Sequence, residues 1–164
     1  RLTMRLSERC NIVGMLEPAD NQAGALDSES INMGLLLGVT LIFQHGAITG
    51  NDAAIILYSG ASSGTKTTAM IFKYRLAGAA FKATDNDVFG DATAIATAAT
   101  GLVMDAATYK NKVLVIEVDS QDMKDGEPWL TIDYDDGSAS VLLSNCIAIG
   151  WARQQKNDPP TVVI

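Results

Sequence analysis

Histidine and cysteine are nearly missing from this 164-residue chain, which has His45 alone and two widely separated cysteines, Cys10 and Cys146. A Ser-His-Asp or Cys-His enzyme would have to use His45, and neither a Gly-x-Ser-x-Gly elbow nor a cysteine-protease signature accompanies it. It falls in Phe-Gln-His-Gly at the end of an expected strand, so it reads as a turn histidine with a solvent or backbone partner. One His and two distant Cys supply no ligand pair at the short spacing that zinc requires. Two cysteines make no disulfide framework. Both sit in apolar surroundings, where a free thiol behaves as a small buried hydrophobe, which fits a reducing compartment such as the cytoplasm.

Long apolar runs and basic patches are also missing. A membrane helix needs about 18 unbroken apolar residues, whereas the richest stretch, Leu35 to Phe43, is interrupted by Gly38 and Thr40. Arg1 to Cys10 carries charge with no apolar stretch behind it, so no secretory signal is visible there. Between Glu117 and Asp136 lie eight acids against Lys124 alone, so this segment carries −7, equal to the whole chain's net charge. Phosphate binding needs a concentrated basic face, so the reading has no nucleic-acid partner and no membrane. Aromatic residues make up only 6%, and no sugar platform is evident among two Trp and four Tyr.

What remains is a chain with 48% hydrophobic and 19% charged residues, ordinary for one globular domain. Short apolar runs alternate with turn residues. Strands are expected at Cys10 to Leu16, Leu35 to Gln44, Ala53 to Ser59, Thr67 to Tyr74, Val113 to Asp119, Leu130 to Asp135 and, as a strand or strand pair, Ser140 to Ala152. Turns are expected at Gly46 to Asp52, Gly60 to Gly64, Asp125-Gly126 and Asp136-Gly137, the last as a hairpin. On the Val113 strand, Leu114, Ile116 and Val118 form a dry face while Val115, Glu117 and Asp119 point the other way. Leu130, Ile132 and Tyr134 alternate similarly with Thr131, Asp133 and Asp135. Asp91 to Ala107, rich in Ala and Thr, leans to strand with a short helix as the alternative. The fold class is therefore all-β, an antiparallel β-sandwich or jelly-roll-like arrangement with room for one short helix. Residues 1–9 read as an N-terminal arm, 10–156 as a single sandwich domain and 157–164 as an extended C-terminal tail.

Several motifs only approximate known chemistry. Gly60-Ala-Ser-Ser-Gly-Thr-Lys66 departs from the phosphate-binding loop in its offsets, and strand-like residues follow where a helix N-terminus would be required. It reads as a hairpin turn. Asp85, Asp87 and Gly90 occupy positions one, three and six of a calcium loop, but Phe89 stands where an oxygen ligand belongs and Ala96 replaces the bidentate Glu. No catalytic, cofactor or metal residue is assigned. Arg1, Arg5 and Arg9 recur every four residues and could serve a docking arm as donors to partner carboxylates. Pro159-Pro160 breaks the chain before Thr-Val-Val-Ile164, which has two destinations: a neighbour's sheet edge or its own domain.

Three stretches, Asn111-Lys-Val-Leu-Val-Ile-Glu-Val-Asp119, Asp125-Gly-Glu-Pro-Trp-Leu130 and Ser140 to Arg153, together with Ser7 to Val13 and Leu37 to Gln44, resemble small virion structural proteins of tailed bacteriophages. The likeness is strongest to head decoration, or cement, proteins. The resemblance is one of strands and turns without an invariant chemical motif. It implies a sandwich-like fold, assembly as a homo-oligomer (a trimer as the working guess), contact with a major capsid protein, no cofactor, and residence on the capsid surface after synthesis in a bacterial cytoplasm. Interfaces of that kind use aromatic and arginine anchors, which points to Arg1, Arg5, Arg9, Trp151 and Arg153, with Trp129 and Trp151 equally eligible for the core. The alternatives are a tail or head–tail connector subunit and a carbohydrate- or receptor-binding module.

Overall fold

The computed structural model describes residues 5–20, 26–50, 53–136, 141–153 and 161–163. Twelve strands form among them. The first six are β1 (Cys10–Asp20), β2 (Leu26–Asp27), β3 (Ile31–Asn32), β4 (Leu36–Ile48), β5 (Ala53–Gly60) and β6 (Thr68–Ala69). The remainder are β7 (Lys73–Leu76), β8 (Thr93–Ala94), β9 (Leu102–Met104), β10 (Val113–Asp119), β11 (Trp129–Asp136) and β12 (Leu142–Ala152), with one short helix, α1 (Ala106–Tyr109).

The strands make two antiparallel sheets, the all-β sandwich that the alternating pattern implies. The first sheet runs β1-β12-β4-β10-β7-β8. In the second, β11 lies between β2 and β5 and also pairs with β3, while β5 bonds onward to β6 and β9. Between the sheets, Leu41, Phe43, Leu114 and Ile116 meet Ile55, Leu57, Leu130, Ile132 and Tyr134, all fully buried. Each such side chain contributes about 2 kcal/mol by leaving water. The expected dry face of β10 is observed: Leu114, Ile116 and Val118 are buried, and Glu117 and Asp119 are exposed.

Pairing partners shift several boundaries. β1 continues past Leu16 to Asp20 through two register shifts against β12. β4 does not turn at Gly46 but extends to Ile48, because Leu142 pairs with Ile48 and Thr49 exchanges hydrogen bonds with Val141. The single strand expected over Thr67 to Tyr74 is two: β6 pairs with β5 in the second sheet, β7 with β10 in the first. Met70 and Phe72 are buried at the crossing while Ile71 is exposed, so apolar alternation persists through a corner that pattern alone cannot reveal. Asp91 to Ala107 divides into β8, β9 and α1. Asp105 caps α1 by accepting the Thr108 amide proton at 2.8 Å.

The Asp136-Gly137 hairpin does not form a pair. β11 belongs to the second sheet and β12 to the first, so this link joins sheets, and Gly137 itself lies outside the described residues. The Gly60–Gly64 turn does close a hairpin, β5 to β6. Thr131, expected on the wet side of β11, is fully buried and its hydroxyl lies 2.8 Å from Ser30 Oγ. Of the tail, 157–160 and 164 lie outside the described residues. Thr161 to Val163 returns to its own domain, where Val162 is buried and its carbonyl accepts the Asn32 amide proton at 2.8 Å.

Candidate partner-binding face

Side chains directly opposite on antiparallel strands share a face, so the register defines the outer surface of the first sheet row by row. One row reads Cys10, Trp151, Gly38 and Asp119. The next reads Ile12, Ile149, Thr40, Glu117 and Lys73, and a third Gly14, Ile147, Ile42, Val115 and Arg75. Trp151, Ile12 and Ile147 are 45%, 53% and 39% exposed; Ile42, Val115 and Ile149 are half-buried. From β1 to β10 and from Trp151 to Asn145 this apolar field measures roughly 15 by 20 Å by strand spacing and rise. Exposed apolar patches of that scale on single chains are often functional.

A groove of about 310 Å³ crosses one end of the face, with Trp151 on one wall, Glu117, Asp119 and Asp122 on the other, and Gly38 and Thr40 between them. Gly38 leaves the floor open; a Cβ there would approach the Val118 carbonyl oxygen at 3.0 Å. Asp122 is placed by a short 3-10 turn, Ser120–Asp122, and its carboxylate accepts the Asp119 amide proton at 3.0 Å. None of the three carboxylates belongs to an ion pair among the described residues.

The expected contact residues are not all at this face. Trp151 is on it, whereas Trp129 is 8% exposed and belongs to the interior. Arg153 is committed within the chain: Nε donates to the Leu36 carbonyl at 2.8 Å and a terminal nitrogen to Ser120 Oγ at 3.0 Å. That fork ties the acid-bearing turn to the start of β4. Arg5 and Arg9 flank a 3-10 turn, Leu6–Glu8, immediately before β1 and therefore at the Trp151 end of the sheet. Arg1 lies outside the described residues. Ile12 escaped the sequence reading because it reads only as part of the first strand, and Ile42 and Ile147 because β4 and β12 read as continuous apolar strands. That pattern signals two covered faces but not which residues lie outside.

His45 is not a turn residue. It lies within β4, fully buried, because the strand runs on past it. Its ring stacks with Phe43 and Tyr134 at centroid distances of 6.1 and 6.4 Å, and Nδ1 lies 3.1 Å from Ser144 Oγ and 3.3 Å from the Tyr134 hydroxyl. Nε2 has no hydrogen-bond partner among the described residues. The tautomer in which Nδ1–H donates to Ser144 leaves only a lone pair unmet, the cheaper kind of orphan. Burial lowers the imidazole pKa to about 4, so the ring is neutral at pH 7. A sealed neutral ring flanked by hydroxyls cannot meet a substrate unless the sandwich opens; it bridges the two sheets.

The other polar and ionisable groups are paired within the chain, buried, or carried on exposed loops. Lys66 Nζ pairs with Asp27 at 2.7 Å and Asp133 at 3.0 Å, which engages the lysine of the glycine-rich turn. Glu127 accepts from Ser59 at 2.6 Å and Thr68 at 3.2 Å, and the Ser59 hydrogen bond foremost holds its pKa below the ordinary value. Cys10 and Cys146 are free and buried. Asp85 and Asp87 sit on the exposed loop between β7 and β8. Among the described residues no group of three or more His, Cys, Asp or Glu is placed to hold a metal, and no helix is long and apolar enough to cross a membrane. Comparison with known proteins finds no matching family model, no curated relative and no similar solved structure.

Proposed function

We propose that the chain is a structural, non-catalytic subunit that docks through the outer face of its first sheet, and that its setting is the outside of a tailed-phage capsid, which it stabilises by bridging major capsid subunits. The observation carrying this reading is that the outer face of β1 and β12 presents Ile12, Ile147, Ile149 and Trp151 with no element of the described chain packed over them, while the inner face is covered by the second sheet. A subunit that bridges others needs complementary surface and no reaction pocket. The arginine-bearing segment at the Trp151 end of that face is suited to extend the contact.

Co-sedimentation of the purified chain with empty capsid shells tests it. Saturable binding is expected; absence of binding rejects the decoration role. Rings or tubes of the chain alone, seen by light scattering, would instead indicate a tail or connector subunit assembling head to tail. The exposed Trp151 beside carboxylates also favours a second reading, a carbohydrate- or receptor-binding module. A glycan-array signal lost in Trp151→Ala would establish that alternative.

A further inference from the structure

We infer that the outer face of the first sheet receives a partner protein whose surface is apolar at its centre and brings arginine or lysine to the groove beside Trp151. This rests on the docking reading above and specifies what the receiving surface must look like.

Charge decides the occupant. The apolar field ends at a rim of Glu117, Asp119 and Asp122, carboxylates without an ion pair among the described residues. Covering the face with an apolar surface alone would strip water from that rim without compensation, which is costly. A guanidinium or ammonium in the groove answers both walls at once, stacking on the indole and pairing with carboxylates opposite. A second copy of this chain fits less well. Each copy carries net charge −7, which opposes self-association. For any partner, the apolar field, roughly 300 Å² in plan from strand spacing and rise, is well short of the ~800 Å² per partner of a stable interface. Contacts from a rim charge and a tryptophan anchor must therefore supply much of the affinity.

The test is co-sedimentation of the full chain with empty capsid shells across a salt series. Wild-type binding should weaken as salt screens the rim. Trp151→Ala should bind about thirtyfold more weakly, as expected for an aromatic anchor desolvated on binding. The combined Glu117→Gln, Asp119→Asn and Asp122→Asn variant should lose about fivefold and show a flatter salt response. Neutralising Lys73 and Arg75 on the same face should leave binding unchanged or tighten it. Urea midpoints equal to wild type confirm that these exposed substitutions leave the fold intact. If wild type binds and the Trp151 and carboxylate variants bind equally well, this inference is overturned and the decoration role stands. If wild type does not bind shells, the decoration role fails and takes the inference with it. A dimer that the face substitutions convert to monomer would assign the surface to a second copy and also overturn the inference.

Discussion

Acidifying the protein from pH 7 to pH 4 should weaken it through His45 before any carboxylate becomes involved. The ring is fully buried between Phe43 and Tyr134, and burial lowers its pKa to about 4 from 6.5. The unfolded chain thus takes up the proton first as pH falls, and the folded chain resists it. The contribution is fully present above pH 6.5, declines between 6.5 and 4, and is flat below. At 1.36 kcal/mol per unit, the full interval is worth about 3 kcal/mol, a large share of the roughly 5–15 kcal/mol that holds a domain together. Glu127 and Asp105, whose folded pKa values are lowered by hydrogen bonds from Ser59 and the Thr108 amide, lose their contributions only as pH falls through the carboxylate range, so the upper half of the acid limb isolates the histidine. Urea unfolding followed by fluorescence of the buried Trp129, at half-unit steps from pH 7.5 to 4, measures the profile. His45→Phe keeps a ring in the stack and should be less stable at pH 7 by about 1–3 kcal/mol through the hydroxyls it leaves unmet. It should show little change between pH 6.5 and 5. Parallel profiles for the two proteins would refute the assignment.

Other perturbations separate the two faces of the first sheet and its supports. Ile116→Ala, at the centre of the core, should cost about 2–5 kcal/mol by urea denaturation, whereas Ile12→Ser on the outer face should stay within about 0.5 kcal/mol; equal losses would mean that the faces are misassigned. Gly101 has φ +66° and a Cβ there would run into the Ile55 carbonyl, so Gly101→Ala should lower stability by about 1–3 kcal/mol, and an unchanged melting temperature would contradict that geometry. Val162→Ser places a hydroxyl at a buried site of the returning tail and should cost about 1–3 kcal/mol. A neutral result would detach the tail from the domain.

The sheet architecture was legible where period two was clean. Leu114, Ile116 and Val118, and likewise Leu130, Ile132 and Tyr134, announced their face because Glu117 and Asp119 on one strand, and Asp133 and Asp135 on the other, alternate with them. Legibility failed wherever the partner strand rather than the local pattern decided the outcome. His45 resembled a turn residue because Gly46 follows it, yet pairing with the start of β12 carries the strand through both. Met70-Ile-Phe72 alternates like a strand although the chain is changing sheets, since a corner keeps the same inward and outward order. Asp136-Gly137 carried a hairpin signal, but that signal reports a tight reversal and not which sheet receives the next strand. At the candidate face, Trp151 could be singled out by residue type. Its acidic counterparts could not, because Glu117 and Asp119 come opposite it only through β4 lying between β12 and β10.

The distribution of bulk along β12 gives the outer face its meaning. After Leu142, the residues that β12 turns inward are small or polar, Ser144, Cys146, Ala148 and Gly150, while Leu143, Ile147, Ile149 and Trp151 point out together with the polar Asn145. The interior explains the first set: Cys146 pairs with Phe43, and a Cβ on Gly150 would press on a Leu36 methyl at 2.8 Å. It does not explain the second. Nothing in folding requires isoleucine at an outward position, where threonine would keep the same β preference and a charged residue would serve as well as Glu117 and Asp119 do on β10. Outward isoleucines add little to folding and carry a standing risk of aggregation, a cost that the proposed docking partner would offset by covering them. Ile147→Thr combined with Ile149→Thr should accordingly leave the unfolding midpoint almost unchanged and remove binding to the partner, and a fold that failed instead would show that these side chains serve the domain itself.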